Sequence, residues 1–348
     1  MDYLPPRVRI LLLAAVSLCL LATARADLVW TAGTGWQVEN GSLSGLRGSD
    51  SGNALDLMNK ARSSEEEGHP GSALSGYLKV ARKYSSSIYA PEALYRAGKI
   101  YMARKQYNKA FDTFQNVVTA YPNVRRFNEI VGLQYRIAAD LADGARNHIL
   151  GGTIPMFKNP SRGVSDFEYV VLEAPYGDYA PLALLAAARG RERAGDADVA
   201  IDLLDRMINE YSQNVLLPDA YLELGRLHSG LVEGPYYDQD ETKQAMTYYE
   251  DFMILYPGDN SIATAANGLD SMKNMLAESK MKMGDWYFYK RSNFTAARVF
   301  YNEAITSYPD SSVAKRAKDR LVEVDAKAAR AAQPPPPGKS GKKRFWLF

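Results

Sequence analysis

The sequence predicts an all-α fold, an α-solenoid of about five to six helical hairpins. First, a small residue recurs as a mark, followed four and seven positions later by aromatic or aliphatic side chains. Second, Tyr-Pro or a variant of it follows eleven and twelve positions after most marks. Third, another small residue stands twelve positions before three of them and twenty positions before a fourth. The six marks are Ala73, Ala110, Gly163, Ala200, Ala245 and Ala297.

This pattern is typical of paired helices. A small residue lets two helices approach closely, the +4 and +7 side chains lie on one helix face, and proline ends the second helix. The small residues of the first helices are Ala61, Gly98, Ala188 and Gly225. The second repeat reproduces the full tetratricopeptide signature, in Leu94, Gly98, Tyr101, Ala110, Phe114 and Pro122.

Residues 1–26 are typical of a secretory signal peptide. Arg7 and Arg9 precede the apolar run 10–21, and Ala24-Arg25-Ala26 fits a signal peptidase site. We therefore predict an exported protein, cleaved after Ala26. The alternative is lipidation at Cys19, for which the large Leu18 before it is a poor context.

Residues 27–52 are rich in glycine and serine and carry two aromatic anchors, Trp30 and Trp36. The segment is too short of apolar residues to form a domain, so it is interpreted as a linker. Its two halves either pair as a small hairpin or lie over the next element.

The repeats fill residues 53–331 and are interrupted twice, at 144–162 and 230–242. The first interruption is predicted to be loop-like from Gly151 to Arg162, with Ile154, Met156 and Phe157 inside it. Loops on a rigid scaffold often carry function, but tolerated neutral insertions are equally compatible with the sequence.

The tail, residues 332–348, joins a polyproline spacer to a basic and aromatic end. This end is a candidate contact for an anionic membrane surface or for a partner protein, and it is also compatible with an end that has no role. Its candidate residues are Lys342, Lys343, Arg344, Phe345, Trp346 and Phe348.

Composition excludes several classes. With 46% hydrophobic residues, one cysteine and a formal charge of +2, the chain is neither disordered nor stapled by disulfides, and nothing indicates a nucleic-acid partner. The three histidines, His69, His148 and His228, fall in separate repeats, and there is no Walker loop. We therefore expect neither catalysis nor a cofactor.

The better site hypothesis concerns the inner groove of the solenoid, which the first helices line. The positions after the close-contact residues are all basic and suit the carboxylates of an extended peptide: Arg62, Lys99, Arg189 and Arg226. Met58, Tyr95 and Leu185 are the predicted apolar groove residues. The alternative is a solvated face on which arginines pair with glutamates one turn away, as Glu92 would with Arg96.

From Asn53 to Asp325 the chain resembles the BamD family of outer-membrane assembly factors. The resemblance is strongest in the last repeat, in 276–278, 285–290, 293–298 and 308–311, and the stretch Phe167 to Pro175 resembles the middle repeat. The resemblance implies a tetratricopeptide scaffold, without enzymatic activity, at the periplasmic face of the outer membrane.

The partners that the resemblance implies are subunits of the β-barrel assembly machinery and unfolded outer-membrane protein segments. Family members are usually anchored by a lipidated cysteine, which the context of Cys19 does not favour. A generic periplasmic tetratricopeptide adaptor for envelope or division complexes is the alternative function.

Overall fold

The computed structural model describes residues 27–39 and 49–333, which form two compact units divided between Asp196 and Ala197. Unit 1 contains two β-hairpins and seven α-helices: β1 (Asp27–Thr31), β2 (Gly35–Glu39), α1 (Ser49–Glu66), α2 (Pro70–Lys83), α3 (Tyr89–Ala103), α4 (Tyr107–Ala120), α5 (Phe127–Ala142), β3 (Arg146–Ile149), β4 (Ile154–Lys158), α6 (Pro160–Glu173) and α7 (Tyr179–Ala194).

Unit 2 is helical throughout the residues described. It contains six α-helices and one π-helical turn, which directly follows α11: α8 (Ala197–Glu210), α9 (Leu217–Leu231), α10 (Asp240–Leu255), α11 (Ile262–Asp285), the π-turn (Trp286–Lys290), α12 (Phe294–Ser307) and α13 (Ser312–Ala332). Among the described residues, every helix is too short or too polar to cross a bilayer.

The predicted all-α repeat fold is confirmed at the level of single side chains. All six marks are buried, and so is every residue four or seven positions after them. The six second helices of the hairpins, α2, α4, α6, α8, α10 and α12, each end ten residues after their mark. The mark and its two partners therefore form one buried stripe per helix, and the aromatic residue that follows lies at the helix end.

Close approach of the helices explains why two first-helix positions are glycine. A Cβ atom on Gly98 would lie 2.5 Å from the Phe114 ring, and one on Gly225 would lie 2.6 Å from the Tyr249 ring. Both distances are well below van der Waals contact. The +4 aromatic ring of the second helix thus packs directly on the first helix, in space that a larger residue would fill.

The thirteen described helices exceed the predicted five to six hairpins by one helix. The extra helix is α13, which buries Val313, Ala317 and Val324 against the last hairpin and is largely polar elsewhere. The marks lie on the second helices of the hairpins, and α13 stands in the place of a first helix. No second helix follows it among the described residues, so it has no mark. Its position is that of a capping helix, which ends a repeat stack with a polar outer surface.

Both interruptions of the repeat lie between helices, but the first is more ordered than predicted. Strands β3 and β4 pair in an antiparallel hairpin, and α6 already begins at Pro160. The loop-like expectation through Arg162 was therefore wrong. Asn159 accepts a hydrogen bond from the backbone N–H of Arg162 (3.3 Å), and Pro160 is favourable in the first helical turn.

The segment that was interpreted as a linker begins with β1 and β2, which pair from Asp27↔Glu39 to Thr31↔Gly35. The hairpin packs on α1, which begins at Ser49. The segment therefore both pairs as a hairpin and lies over the next element, the two arrangements that the sequence predicted as alternatives. The second interruption contains the connection 232–239 between α9 and α10, where the Gln239 side chain donates to the carbonyls of Gly234 (2.9 Å) and Tyr237 (3.0 Å).

Candidate functional site

The candidate site is a polar surface of unit 1 formed by α1, α3 and the start of α5, which we call the first-helix face. Each of these is the first helix of its hairpin, so equivalent positions recur from one helix to the next. The side chains that make up this face are Arg62 and Glu65 from α1, Glu92, Tyr95, Arg96 and Lys99 from α3, and Arg126 and Glu129 at the start of α5.

Ion pairs of alternating sign run across the face from helix to helix. Within α1, Arg62 lies 3.2 Å from Glu65, and Glu65 reaches Arg96 of α3 at 3.9 Å. The pairs then continue through Glu92, which lies 2.9 Å from Arg96 and 3.4 Å from Arg126. Most of these side chains are only partly exposed, so they order the face more than isolated surface pairs would.

Tyr95 lies at the centre of the α3–α5 part of the face. Its ring is buried against Phe114 (ring centroids 6.3 Å apart), and its hydroxyl donates to Glu129. The Arg126 guanidinium and the Lys99 ammonium lie 5.0 and 5.5 Å from the centre of the same ring. Two cations therefore lie against the same aromatic ring.

These contacts shift two pKa values. Burial raises the pKa of the Tyr95 hydroxyl, and its hydrogen bond to Glu129 raises it further. For Glu129, burial acts to raise the pKa, but hydrogen bonds from Tyr95 and Arg126 outweigh it, so the pKa lies below its usual value. The carboxylate stays ionised at neutral pH, and the tyrosine stays a hydrogen-bond donor.

The β1–β2 hairpin covers the α1 end of the face with its two tryptophans. Trp36 is only 3% exposed, and its backbone N–H donates to Asn59 Oδ1 (2.8 Å). The guanidinium of Arg62 lies 4.9 Å from the Trp30 ring, and that of Arg96 lies 5.4 Å from the Trp36 ring. The chain itself therefore occupies this end of the face.

The predicted apolar groove residues Met58, Tyr95 and Leu185 are all buried in the described structure, at 0, 3 and 5% exposure. This corrects the expectation that they line an open groove. Each stands three positions before a close-contact residue, and residues at i and i+3 share a helix face. They therefore turn toward the same packed interior as Ala61, Gly98 and Ala188.

The four predicted groove cations are divided between the two units. Arg62, Lys99 and Arg189 belong to unit 1, whereas Arg226 belongs to unit 2. Arg62 pairs with Glu66 (3.0 Å), and Arg226 pairs with Glu223 (3.2 Å), one turn away as the alternative interpretation expected. Lys99 and Arg189 are exposed, and Lys99 is the one that the first-helix face includes.

Sequence reasoning missed the links between helices. Arg96, Arg126 and Glu129 were not predicted site residues, although they hold the face together. Only the local spacings Glu92–Arg96 and Arg126–Glu129 indicated them, because a sequence pattern shows partners one turn apart and not partners on the next helix.

A second charged cluster in unit 1 had a sequence signal only for its pair one turn apart, Arg162 and Asp166. Arg162 bridges the buried carboxylate of Asp166 (2.7 Å) and the exposed carboxylate of Asp112 (2.8 Å). Burial raises the pKa of Asp166 to about 7, although Arg162 acts to lower it. The cluster ties α6 to α4.

None of the described residues forms a group of histidine, cysteine or acidic side chains that could hold a metal ion. His228 pairs with Glu241 (2.6 Å) and stacks on Tyr248 in unit 2, as part of a packed polar contact. The signal residues 1–26, with Cys19, lie outside the described part of the chain. So do the candidate tail residues Lys342, Lys343, Arg344, Phe345, Trp346 and Phe348.

Comparisons with known proteins agree with this fold. The tetratricopeptide repeat family matches residues 92–123 and 278–311. The outer membrane protein assembly factor BamD of Rickettsia prowazekii is 24% identical over 48% of this chain and 66% of its own length. BamD of Xylella fastidiosa is 24% identical over 42% of this chain and 53% of its own length. The chain thus spans less than two thirds of the length of these curated relatives.

Solved structures of repeat proteins match as well. A tetratricopeptide repeat protein from Bacteroides fragilis is 14% identical, with 79% of this chain and 98% of that chain covered and a TM-score of 0.35. The buried marks, the paired helices and the two segments that match the tetratricopeptide repeat family identify a tetratricopeptide-repeat solenoid, and the chain resembles BamD over about half of its length.

Proposed function

We propose that this protein is a non-enzymatic scaffold that assists the assembly of β-barrel proteins in the bacterial outer membrane. The similarity to BamD, which extends over close to half of the chain, is the observation that carries the proposal. Tetratricopeptide repeats expose rows of equivalent side chains, and such surfaces bind extended peptides and partner proteins.

The first-helix face supplies the contact surface. Its exposed part is the α3–α5 end, where Lys99 and Arg126 stand over Tyr95. Two exposed cations side by side suit a peptide that presents carboxylates. The α1 end, beneath Trp30 and Trp36, is occupied by the chain itself.

Affinity purification of the full chain from membrane extracts tests the proposed role. We expect the barrel-forming subunit of the assembly machinery to be recovered with it. Recovery of envelope or division proteins in its place would favour the generic adaptor, and recovery of neither group would contradict both functions.

The contribution of the face is tested with variants of the full chain. Lys99→Glu combined with Arg126→Gln is expected to weaken binding of a urea-unfolded β-barrel protein about tenfold, or about 1.4 kcal/mol. The matched control replaces two ion-paired cations of unit 2, Arg206→Gln with Lys243→Glu. Equal loss in both double variants would remove the first-helix face from the proposal.

Export is part of the same proposal. The mass of the mature N-terminus distinguishes its two forms: a free Asp27 indicates cleavage after Ala26, whereas an acylated Cys19 indicates a lipid anchor. An intact Met1 would contradict export.

A further inference from the structure

The β3–β4 hairpin of unit 1, residues 146–158, exposes an unusual amount of apolar surface. Phe157 is 94% exposed and Leu150 is 70% exposed. Ile149 and Ile154 face each other across the strand register beside the turn, and both are also exposed, as is Met156. Single exposed apolar residues are ordinary, but a contiguous group on one small element marks an interaction surface.

The hairpin packs against the connection between α3 and α4. The backbone N–H of His148 donates to the Lys105 carbonyl (2.8 Å), and the backbone N–H of Asn108 donates to the Asn147 side chain (3.1 Å). At the turn, a Cβ on Gly152 would lie 2.6 Å from the Arg104 carbonyl oxygen. These contacts fix the turn of the hairpin and the neighbouring part of β3 to this connection, and they leave the apolar side chains exposed.

The hairpin carries cations and no carboxylates. Residues 144–158 contain Arg146 and Lys158 and no aspartate or glutamate. Arg146 and Lys158 are paired across the strands at the base of the hairpin, and the connection beneath its turn adds Arg104 and Lys105. Within the described part of the chain, none of these four cations has a carboxylate at ion-pair distance. Since the whole chain is nearly neutral, this concentration of positive charge is local.

An anionic bilayer surface fits both properties. Apolar side chains of interfacial elements enter the boundary between headgroups and acyl chains to a depth of about 5–10 Å, while cations at the level of the headgroups attract lipid phosphates. Arg104 and Lys105 lie beneath the turn and Arg146 and Lys158 lie at the base, so cations border the exposed apolar side chains at both ends of the hairpin. A protein groove would take the apolar side chains equally well, but it would not explain four cations without an ion-paired carboxylate.

We propose that the β3–β4 hairpin is a membrane-surface anchor. Its exposed apolar side chains, Ile149, Leu150, Ile154, Met156 and Phe157, enter an anionic leaflet. Arg104, Lys105, Arg146 and Lys158 hold the lipid phosphates. This anchor is independent of the proposed assembly function and of any lipid on the N-terminus.

Co-sedimentation of the purified full chain with vesicles tests the anchor. Vesicles of phosphatidylglycerol and phosphatidylethanolamine are expected to bind the protein, and vesicles of phosphatidylcholine alone are expected to bind it at least tenfold more weakly. Binding should fall in 1 M salt, where the Debye length is about 3 Å.

Two double variants separate the apolar and the charged contributions. Leu150→Ser with Phe157→Ser, and Arg146→Gln with Lys158→Gln, are each expected to reduce binding to anionic vesicles about tenfold. The matched control is Tyr176→Ser with Val215→Ser, two side chains that are as exposed but lie elsewhere. All substituted side chains are at the surface, and circular dichroism verifies that each variant is folded.

The basic tail is a second potential membrane contact, so each measurement is repeated on chains that end at Gln333. The effect of the hairpin variants must persist there. Unchanged vesicle binding by both hairpin variants would overturn the proposal. Unchanged vesicle binding combined with loss of a co-purifying protein would identify the hairpin as a protein-docking surface and would overturn it as well.

Discussion

The docking of the β1–β2 hairpin on unit 1 is expected to depend mainly on one side chain, Trp36. The substitution Trp36→Ala removes a nearly fully buried indole that packs beside Trp30 (ring centroids 5.6 Å apart) and lies under the Arg96 guanidinium. The backbone hydrogen bond to Asn59 remains available, because it uses the main-chain N–H.

The magnitude follows from burial. A buried tryptophan removes about 150–250 Å² from water, which at about 25 cal/mol per Å² is worth roughly 4–6 kcal/mol. Alanine retains part of this area, and measured losses for such truncations are about 3–5 kcal/mol. A two-stranded hairpin is marginal by itself, so a loss of this size exceeds what its remaining contacts supply. We expect the hairpin to undock while the helices stay folded.

Hydrogen exchange followed by mass spectrometry measures this directly. A loss of 3 kcal/mol corresponds to more than a hundredfold faster exchange, which we expect for the amides of residues 27–39 and not for those of α1 and α3. The control is Trp286→Ala, the same change at a half-exposed tryptophan of unit 2, which should leave residues 27–39 protected.

Two results would refute this reasoning. Unchanged exchange in residues 27–39 would mean that Trp36 does not hold the hairpin. An equal loss of protection in α1 and α3 would mean that the hairpin is a cooperative part of unit 1 and not a separate covering element.

Three further predictions concern stability and are measured by urea denaturation. The pKa of Asp166 rises from an ordinary 3.8 to about 7 on folding, so between these values the folded state binds a proton that the unfolded state does not. The free energy of unfolding should therefore fall as the pH is raised from about 4 to about 7, by up to about 4 kcal/mol. Asp166→Asn should flatten this slope. An unaltered slope would exclude Asp166 as its source. Gly98→Ala should cost about 1–2 kcal/mol because its Cβ meets the Phe114 ring, whereas Gly230→Ala, with open space around it, should stabilise α9 by about 0.5–1 kcal/mol; equal signs would contradict the packing argument. Tyr301→Phe removes the hydrogen bond to Asp285 (2.7 Å) and should cost about 1–2 kcal/mol, with no loss expected if that bond does not form in solution.

The repeat itself could be predicted from the sequence because each mark and its partners lie on a single helix. The small residue of the first helix was predictable only where the connection has constant length. In the last hairpin it is Gly284, thirteen positions before the mark, where a Cβ would meet the Tyr301 ring at 2.7 Å. The π-turn 286–290 holds one more residue than an α-helical turn, which accounts for the shift from twelve to thirteen.

The third hairpin shows the same limit more strongly. There the β3–β4 hairpin separates the two helices, and Gly163 packs against the backbone of Ala138 and Ala142, far from the expected spacing. The first-helix face was less predictable still, because charged side chains occur on every described helix. Their pairing depends on how neighbouring helices align, which no periodicity within one helix describes.

The placement of the tryptophans gives the molecule a built-in optical property. The chain has four tryptophans: Trp30 and Trp36 belong to unit 1, Trp286 belongs to unit 2, and Trp346 lies in the tail. Trp36 is enclosed, so its emission is expected toward the blue, whereas Trp286 is half exposed and emits further to the red. With Trp30 and Trp346 both replaced by phenylalanine, the two sides of the emission band report different units. Intrinsic fluorescence alone can therefore show whether the two units lose their structure in one step or in two.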